Sequence, residues 1–313
     1  DAKGRNASDD IKAELIKLKA QNVEGIILDL RNNGGGSLTE VVDIMGLFMN
    51  SGPVVQVKDG NGRVQVMRNK QNDPIWTGPL VIMQNELSAS ASEILAGAMQ
   101  DYGRAVIVGS PQSFGKGTVQ TFVELNRFLN TSDDFGALKL TIQKFYRVNG
   151  KSTQLKGVES DIPMKDVFSY EEIGERFDNY ALPWDQVNSS SFTVNNSINV
   201  AELAKKSQSR MAQNKFYQLL LESAQWREKL DKEEKISLNL KEFEAVMKTR
   251  KAQIDKFKPL IKYNNGLNFA LHADELARGK TDEVFAKKSE NWMKNLKRDI
   301  YLQETVNIIS DLK

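Results

Sequence analysis

The chain has 313 residues, 40% of them hydrophobic, with 43 Lys plus Arg against 41 Asp plus Glu and a net charge of +2. That length and apolar content can bury a substantial core in one or two domains, and the balanced charge excludes both a basic nucleic-acid binder and an acidic tail. The absence of cysteine excludes disulfides, thiolate catalysis and cysteine-bound metals, and the single histidine, His272, removes the usual general base and most zinc sites.

A nucleic-acid partner is therefore not expected, and few kinds of metal site remain open. No apolar run reaches the roughly 18 residues that a membrane span requires, and the opening DAKGRNASDD lacks the basic-then-apolar layout of a signal peptide.

Residues 8–21, SDDIKAELIKLKAQ, place Ile11, Leu15, Ile16 and Leu18 at helical intervals behind Ser8 as N-cap, with Asp9 and Asp10 in the first turn. An amphipathic helix is predicted there. VEGIILDL, short, branched and apolar, predicts a buried parallel strand, RNNGGGS a glycine-rich turn, and LTEVVDIMGLFMN a helix. The arrangement recurs as the strand PLVIMQN, the turn ELSAS and a small-residue helix, ASEILAGAMQDYG, ending at Gly103. AVIVGS is another buried strand, PQSFGKG a loop, and GALKLTIQKFYRVNG a longer strand closing on the Asn149-Gly150 turn. Strands alternating with helices to about residue 170 predict an α/β layer architecture.

Between 171 and 200 the composition turns polar, with Pro183 and three successive serines, and a domain boundary is placed there, giving domains 1–187 and 188–313. From Val200 the chain is rich in Lys, Glu, Leu and Ala, with no glycine between Gly174 and Gly266, and predicts a mostly α-helical domain. His272, in LNFALHADELARGK, reads as a solvated helix residue, and runs such as DKEEK read as solvated helix faces. No solenoid-period repeat is present.

Three stretches combine residues that can carry chemistry: RNNGGGS at 31–37, LSASASE at 87–93 and FGKGTVQ at 114–120. Each follows a predicted strand, and ligands of α/β sheets gather beyond the carboxyl ends of strands, so the three are expected to converge. Lys116 stands between two glycines in apolar surroundings. A lysine amine withdrawn from water gives up its proton more readily and can then activate a serine without histidine. GKG lacks the adjoining Ser or Thr and the upstream glycine of a phosphate-binding loop. The serine is one of Ser88, Ser90 and Ser92, at the start of a helix whose free N–H groups, such as that of Ala91, face developing negative charge. Gly34, Gly35 and Gly36 offer further N–H groups at close approach. A tight turn and an N-cap explain the same two stretches without any chemistry.

IILDLRNNGGG, LSASASEILAGAMQDYGRAVIVG, FGKGTVQ and KLTIQKFYRVNGKSTQLKGVESDI, in that order, closely resemble the tail-specific or C-terminal processing proteases. The resemblance covers roughly residues 8–187 and continues more weakly, through ISLNL, into the helical extension of the long bacterial members. It implies an α/β core of the crotonase-like or ClpP-like kind followed by helices, and peptide hydrolysis through an acyl-enzyme. It implies Ser90 as nucleophile, Lys116 as general base and Gln120 as the residue orienting the lysine. The oxyanion donors it implies are the N–H groups of Ala91 and Gly36, with Gly35 beside them, and Asp101 matches a position expected to give structural support. Ser88 and Ser92 become packing or capping residues.

The resemblance further implies protein or peptide substrates with apolar C-termini, no cofactor and a periplasmic location. Adaptor docking or self-association through the helical extension is a further expectation. The family's PDZ module, which captures substrate tails, and its N-terminal region are expected to be missing from this chain. The GSPQSFGK loop is one residue longer than the family form, which puts Lys116 26 positions after Ser90. Against the active or latent peptidase stand a catalytically silent binding or scaffold module of the same fold and a crotonase-type acyl-CoA enzyme, for which no CoA-binding feature is present.

Overall fold

The computed structural model describes residues 4–128, 133–233 and 235–313, with two compact units. The first comprises residues up to Met164 together with Glu172–Val200 and Leu312–Lys313; the second comprises Lys165–Glu171 and Ala201–Asp311.

In chain order the first unit holds α1 (Ala7–Ala20), β1 (Ile26–Asp29), α2 (Leu38–Gly46), β2 (Gly52–Asp59), β3 (Val64–Asn69), β4 (Leu80–Gln84), α3 (Ala91–Asp101), β5 (Val106–Gly109), β6 (Thr118–Glu124), β7 (Ala137–Tyr146) and β8 (Ile162–Pro163). One sheet runs β1-β4-β5-β8, parallel throughout. Every residue of β4 and β5 is buried, so an unbroken apolar run rather than an alternating one is what these strands require. The second sheet, β3-β2-β7-β6, is antiparallel. Of its strands only β7 is predicted from the sequence. Met45, Phe48, Ile82, Met99, Ile107 and Phe145 are fully buried in a core that joins α2 and α3 to strands of both sheets.

Two details differ from the sequence reading. The cap of α1 is Asn6, whose Oδ1 accepts the Asp9 N–H at 2.8 Å, while the Ser8 hydroxyl donates to that same Asn6 oxygen from inside the helix. Residues 188–200, assigned from sequence to the helical domain, belong to the first unit. Gln56 Nε2 donates to the Asn188 carbonyl at 3.0 Å, the Asn195 N–H donates to the Tyr102 carbonyl at 2.8 Å, and Phe192 meets Tyr102 edge-on at 5.2 Å.

The second unit is built from α4 (Val200–Gln213), α5 (Lys215–Asp231), α6 (Leu240–Ile261), α7 (Ala273–Gly279), α8 (Glu283–Lys297) and α9 (Ile300–Asp311). Asn214, Asn239 and Asp282 cap α5, α6 and α8 by accepting N–H bonds from their first turns. His272 is not inside a helix as expected. It is the half-buried N-cap residue of α7, and its N–H donates to Glu275 Oε2 at 3.1 Å. No helix among the described residues is long and apolar enough to cross a membrane.

Candidate active site

The parallel sheet sends three loops out from the carboxyl ends of β1, β4 and β5, and they carry the three stretches singled out from sequence. Asparagines join the first two loops. The Asn32 N–H donates to Asn85 Oδ1 at 2.9 Å, Asn85 Nδ2 returns a bond to Asn32 Oδ1 at 2.9 Å, and the Ala89 N–H donates to the Asn33 carbonyl at 3.0 Å. Asn32 sits at φ 60°, a left-handed conformation that asparagine tolerates. Ser88 and Ser92 serve the same joint: the Ser88 hydroxyl donates to the Leu30 carbonyl and accepts the Asn85 N–H, and the Ser92 hydroxyl donates to the Asn33 carbonyl.

A cleft of about 390 Å³ opens where the loops meet, and Gly35, Gly36, Ser90, Ala91, Lys116 and Gln120 all line it. Ser90 stands immediately before α3 with φ 57° and ψ −114°, far from any helical or extended geometry. For a residue with a Cβ this is strained backbone of the kind stored at functional sites. Gly35, at φ +99°, lies directly against it: a Cβ there would fall 2.8 Å from the Ser90 Cβ, 2.8 Å from the Ala91 nitrogen and 2.7 Å from the Ala89 oxygen. Only glycine admits this approach.

The Ala91 N–H, at the first position of α3, is one of the helix's orphan donors, and it has no partner among the described residues. The N–H of Gly36, which is exposed, has none either. Gly35 differs from the expectation of a donor: its N–H is already given to Asn33 Oδ1 at 2.9 Å, so it contributes closeness rather than a bond.

The lysine loop is held from behind. The Thr153 hydroxyl donates to the Lys116 carbonyl at 2.9 Å, and the Gly117 N–H donates to Gln154 Oε1 at 2.8 Å. Lys116 is half-buried, Gln120 on β6 is exposed, and no hydrogen bond joins Lys116 Nζ to Ser90 Oγ or to Gln120 among the described residues.

The residue missed in the sequence is Glu93. It is completely buried and accepts from the Ser90 N–H at 2.7 Å, the Ser113 hydroxyl at 2.6 Å, the Gly115 N–H at 2.7 Å and the Lys116 N–H at 3.0 Å. One carboxylate thus ties the backbone of Ser90 to that of Lys116. Burial pushes its carboxyl up to about 7, against four donors that favour the charged form. The signal for it was the spacing: Glu93 is the third residue after Ser90, the position from which a helix's acidic residue reaches back to its cap.

Asp101, at the far end of α3, does not line the cleft. It accepts from Arg147 Nε at 3.1 Å and Asn149 Nδ2 at 2.7 Å, and burial raises its carboxyl. Among the described residues no group of three or more His, Asp or Glu side chains is placed to hold a metal ion.

A serine on strained backbone at a helix start, unpaired N–H groups beside it and a lysine across the cleft form the outline of a serine hydrolase without histidine. Comparison with known proteins gives that outline a family. Residues 2–164 match peptidase family S41, and residues 168–313 match the C-terminal domain of tail specific protease. The chain belongs to peptidase family S41.

It is 42% identical over 257 residues to the tail-specific protease of Haemophilus influenzae, covering 80% of this chain and 36% of that one. It is 40% identical over 154 residues to the carboxy-terminal-processing protease of Bartonella bacilliformis, covering 49% of this chain and 33% of that one. Among solved structures, a photosystem II D1 C-terminal processing protease is similar at 30% identity and a TM-score of 0.45, over 51% of this chain and 40% of that one. The chain thus spans about a third of the length of these curated relatives.

Proposed function

We propose that this chain carries the catalytic site of a serine endopeptidase that cleaves proteins recognised by their C-terminal tails, with Ser90 as nucleophile and Lys116 as general base. What supports the reading is the single cleft in which the strained Ser90, the unpaired N–H groups of Ala91 and Gly36, and Lys116 come together. Lys116 Nζ takes the proton from Ser90 Oγ as the oxygen attacks the substrate carbonyl. The carbonyl oxygen becomes an oxyanion and accepts from Ala91 and Gly36, donors already in place before the charge develops. Collapse of the tetrahedral intermediate breaks the C–N bond, the Lys116 ammonium gives its proton to the departing amine, and the acyl group stays on Ser90. Water, deprotonated by Lys116, then releases the acid. Gln120 orients the lysine once substrate fills the cleft, and Glu93 holds both loops while protons move.

Apolar C-termini as substrates, a periplasmic site of action, and adaptor docking or self-association through the helical unit are parts of the same reading, and they rest on the resemblance. A second reading, a latent site, is favoured by the missing hydrogen bond between Ser90 and Lys116. Both are tested by labelling with a fluorophosphonate and by cleavage of a fluorogenic peptide with an apolar tail, for the native chain, Ser90→Ala and Lys116→Ala. Each substitution is expected to bring both signals down to background, roughly a 1,000-fold loss or more. Cleavage surviving both substitutions refutes the dyad, and labelling without cleavage in the native chain marks the latent form.

A further inference from the structure

The hairpin of β6 and β7 begins inside the cleft and runs out of it. Thr118, Val119 and Gln120 line the cleft, and β6 then continues to Glu124 as the edge of its sheet. On the other side of the hairpin, β2 ends opposite Gln143, which leaves residues 137–142 of β7 with β6 as their only strand neighbour among the described residues.

Side chains alternate along β6, so Val119, Thr121 and Val123 share one face, and these three are half-buried while Gln120, Phe122 and Glu124 are exposed. Leu140 pairs with Thr121 and Leu138 with Val123, and directly opposed residues share a face. The result is an apolar stripe, Val119, Val123, Leu138 and Leu140, of which Leu138 is 49% and Leu140 44% exposed.

Four residues of strand carry it roughly 13 Å beyond the cleft. Exposed edges are ordinarily guarded by lysine or proline, and the sequence TVQTFVE of β6 contains neither.

We propose that this face, with the open edge of β6, holds apolar side chains of the polypeptide substrate about four residues away from the bond that is cut. The inference rests on the peptidase reading of the cleft. An extended polypeptide is the occupant because it alone meets both demands. Its backbone can pair with the edge of β6, which has no strand beside it among the described residues, and its side chains, repeating every second residue, can reach the stripe from a chain already in contact with Val119 in the cleft. The surface would therefore select substrates by an apolar, extended segment at a fixed distance from the scissile bond.

The test uses fluorescein-labelled peptides, one with Leu or Val at alternate positions and one with Ser at those positions. Their affinities are measured for the chain carrying Ser90→Ala and for the same chain with Leu138→Thr and Leu140→Thr added, threonine being well suited to strands. Phe122→Thr, on the opposite face, is the control, and circular dichroism checks each variant's fold. A preference of about 10-fold or more for the apolar peptide, lost in the double variant and kept in the control, is expected, a difference of about 1.4 kcal/mol.

No preference in the parent chain, or a preference that the double variant keeps, overturns the proposal. So does a concentration-dependent dimer in sedimentation that the double variant abolishes, which would assign the face to a second copy. If the double variant unfolds, single Leu140→Thr is measured under the same criteria. Fluorophosphonate labelling of Ser90 in the native chain, which needs none of this face, reports separately on the peptidase reading.

Discussion

The two units use buried charge in opposite ways. In the first unit the fully buried Glu93 is surrounded by N–H donors of Ser90, Gly115 and Lys116, so its desolvation is offset by two loops that line one cleft. In the second, the buried charge is spent on joining helices: Arg210 of α4 binds Glu304 of α9 at 2.7 Å and Asp311 at 2.8 Å. Half of α9 is buried around that contact, whereas α6, with 22 residues, has no buried residue at all. The first unit is thus organised around a site and the second around a junction between helices.

The comparison is broken most severely at Gly35. In Gly35→Ala the new Cβ meets the Ala89 oxygen at 2.7 Å and the Ala91 nitrogen at 2.8 Å, both of them backbone, at a φ of +99° that alanine avoids. Relief requires Ser90 and the donor of Ala91 to move. A displacement of about 1 Å costs on the order of 100-fold in rate, so Ser90 labelling is expected to fall at least that far, with the melting temperature little changed because the glycine turn is exposed. Labelling within threefold of the native chain would contradict the role given to this contact.

A smaller effect, visible as a pH dependence, is expected at Glu93. Its carboxyl is raised from 4.5 to about 7 by burial, so between those values the folded protein holds a proton that the unfolded chain has released. Stability is then greatest below the unfolded value and is lost as pH rises through the folded one. The change is on the order of 3 kcal/mol. Glu93→Gln cannot titrate, and its stability measured by urea denaturation at pH 5 and pH 8 is expected to lack this slope. An unchanged slope would place the titration elsewhere.

Much of this was legible in the sequence, for physical reasons that differ by region. β4 and β5 are buried on both faces and read as unbroken apolar runs, and the parallel sheet follows from them. β2, with Gly52, Pro53 and polar residues among its valines, and β6, a half-exposed edge, carry weaker patterns and went unpredicted. Lys116 stands out in the sequence by its place between two glycines, and the choice of Ser90 among three serines comes from the motif resemblance, whereas the approach of Gly35 to Ser90 and the bonds of Glu93 depend on contacts between loops that composition does not encode. Ser8 was read as the cap of α1, and the hydrogen bond from the Asp9 N–H gives that place to Asn6. Residues 188–200, polar and lying past the boundary placed at 187, were assigned to the helical domain although Phe192 anchors them to Tyr102.

The smallest of the expected effects tests the junction of the second unit. The Glu304 side chain is 4% exposed, and among the described residues one other bond reaches it, from Asn307 Nδ2 at 3.2 Å. Arg210→Ala removes the guanidinium and leaves that carboxylate buried with little compensation. Breaking a buried pair from one side costs roughly 3–5 kcal/mol, but the Arg210 side chain is 33% exposed and solvent already screens part of its charge, so about 2 kcal/mol is expected. Adding Glu304→Gln should return part of the loss, because a neutral amide in the same place needs no counter-charge. The loss should appear in calorimetric melting and not in Ser90 labelling. If labelling falls with it, the division between a unit organised around a site and one organised around a junction fails. If Glu304→Gln returns nothing, the guanidinium acts through packing rather than charge.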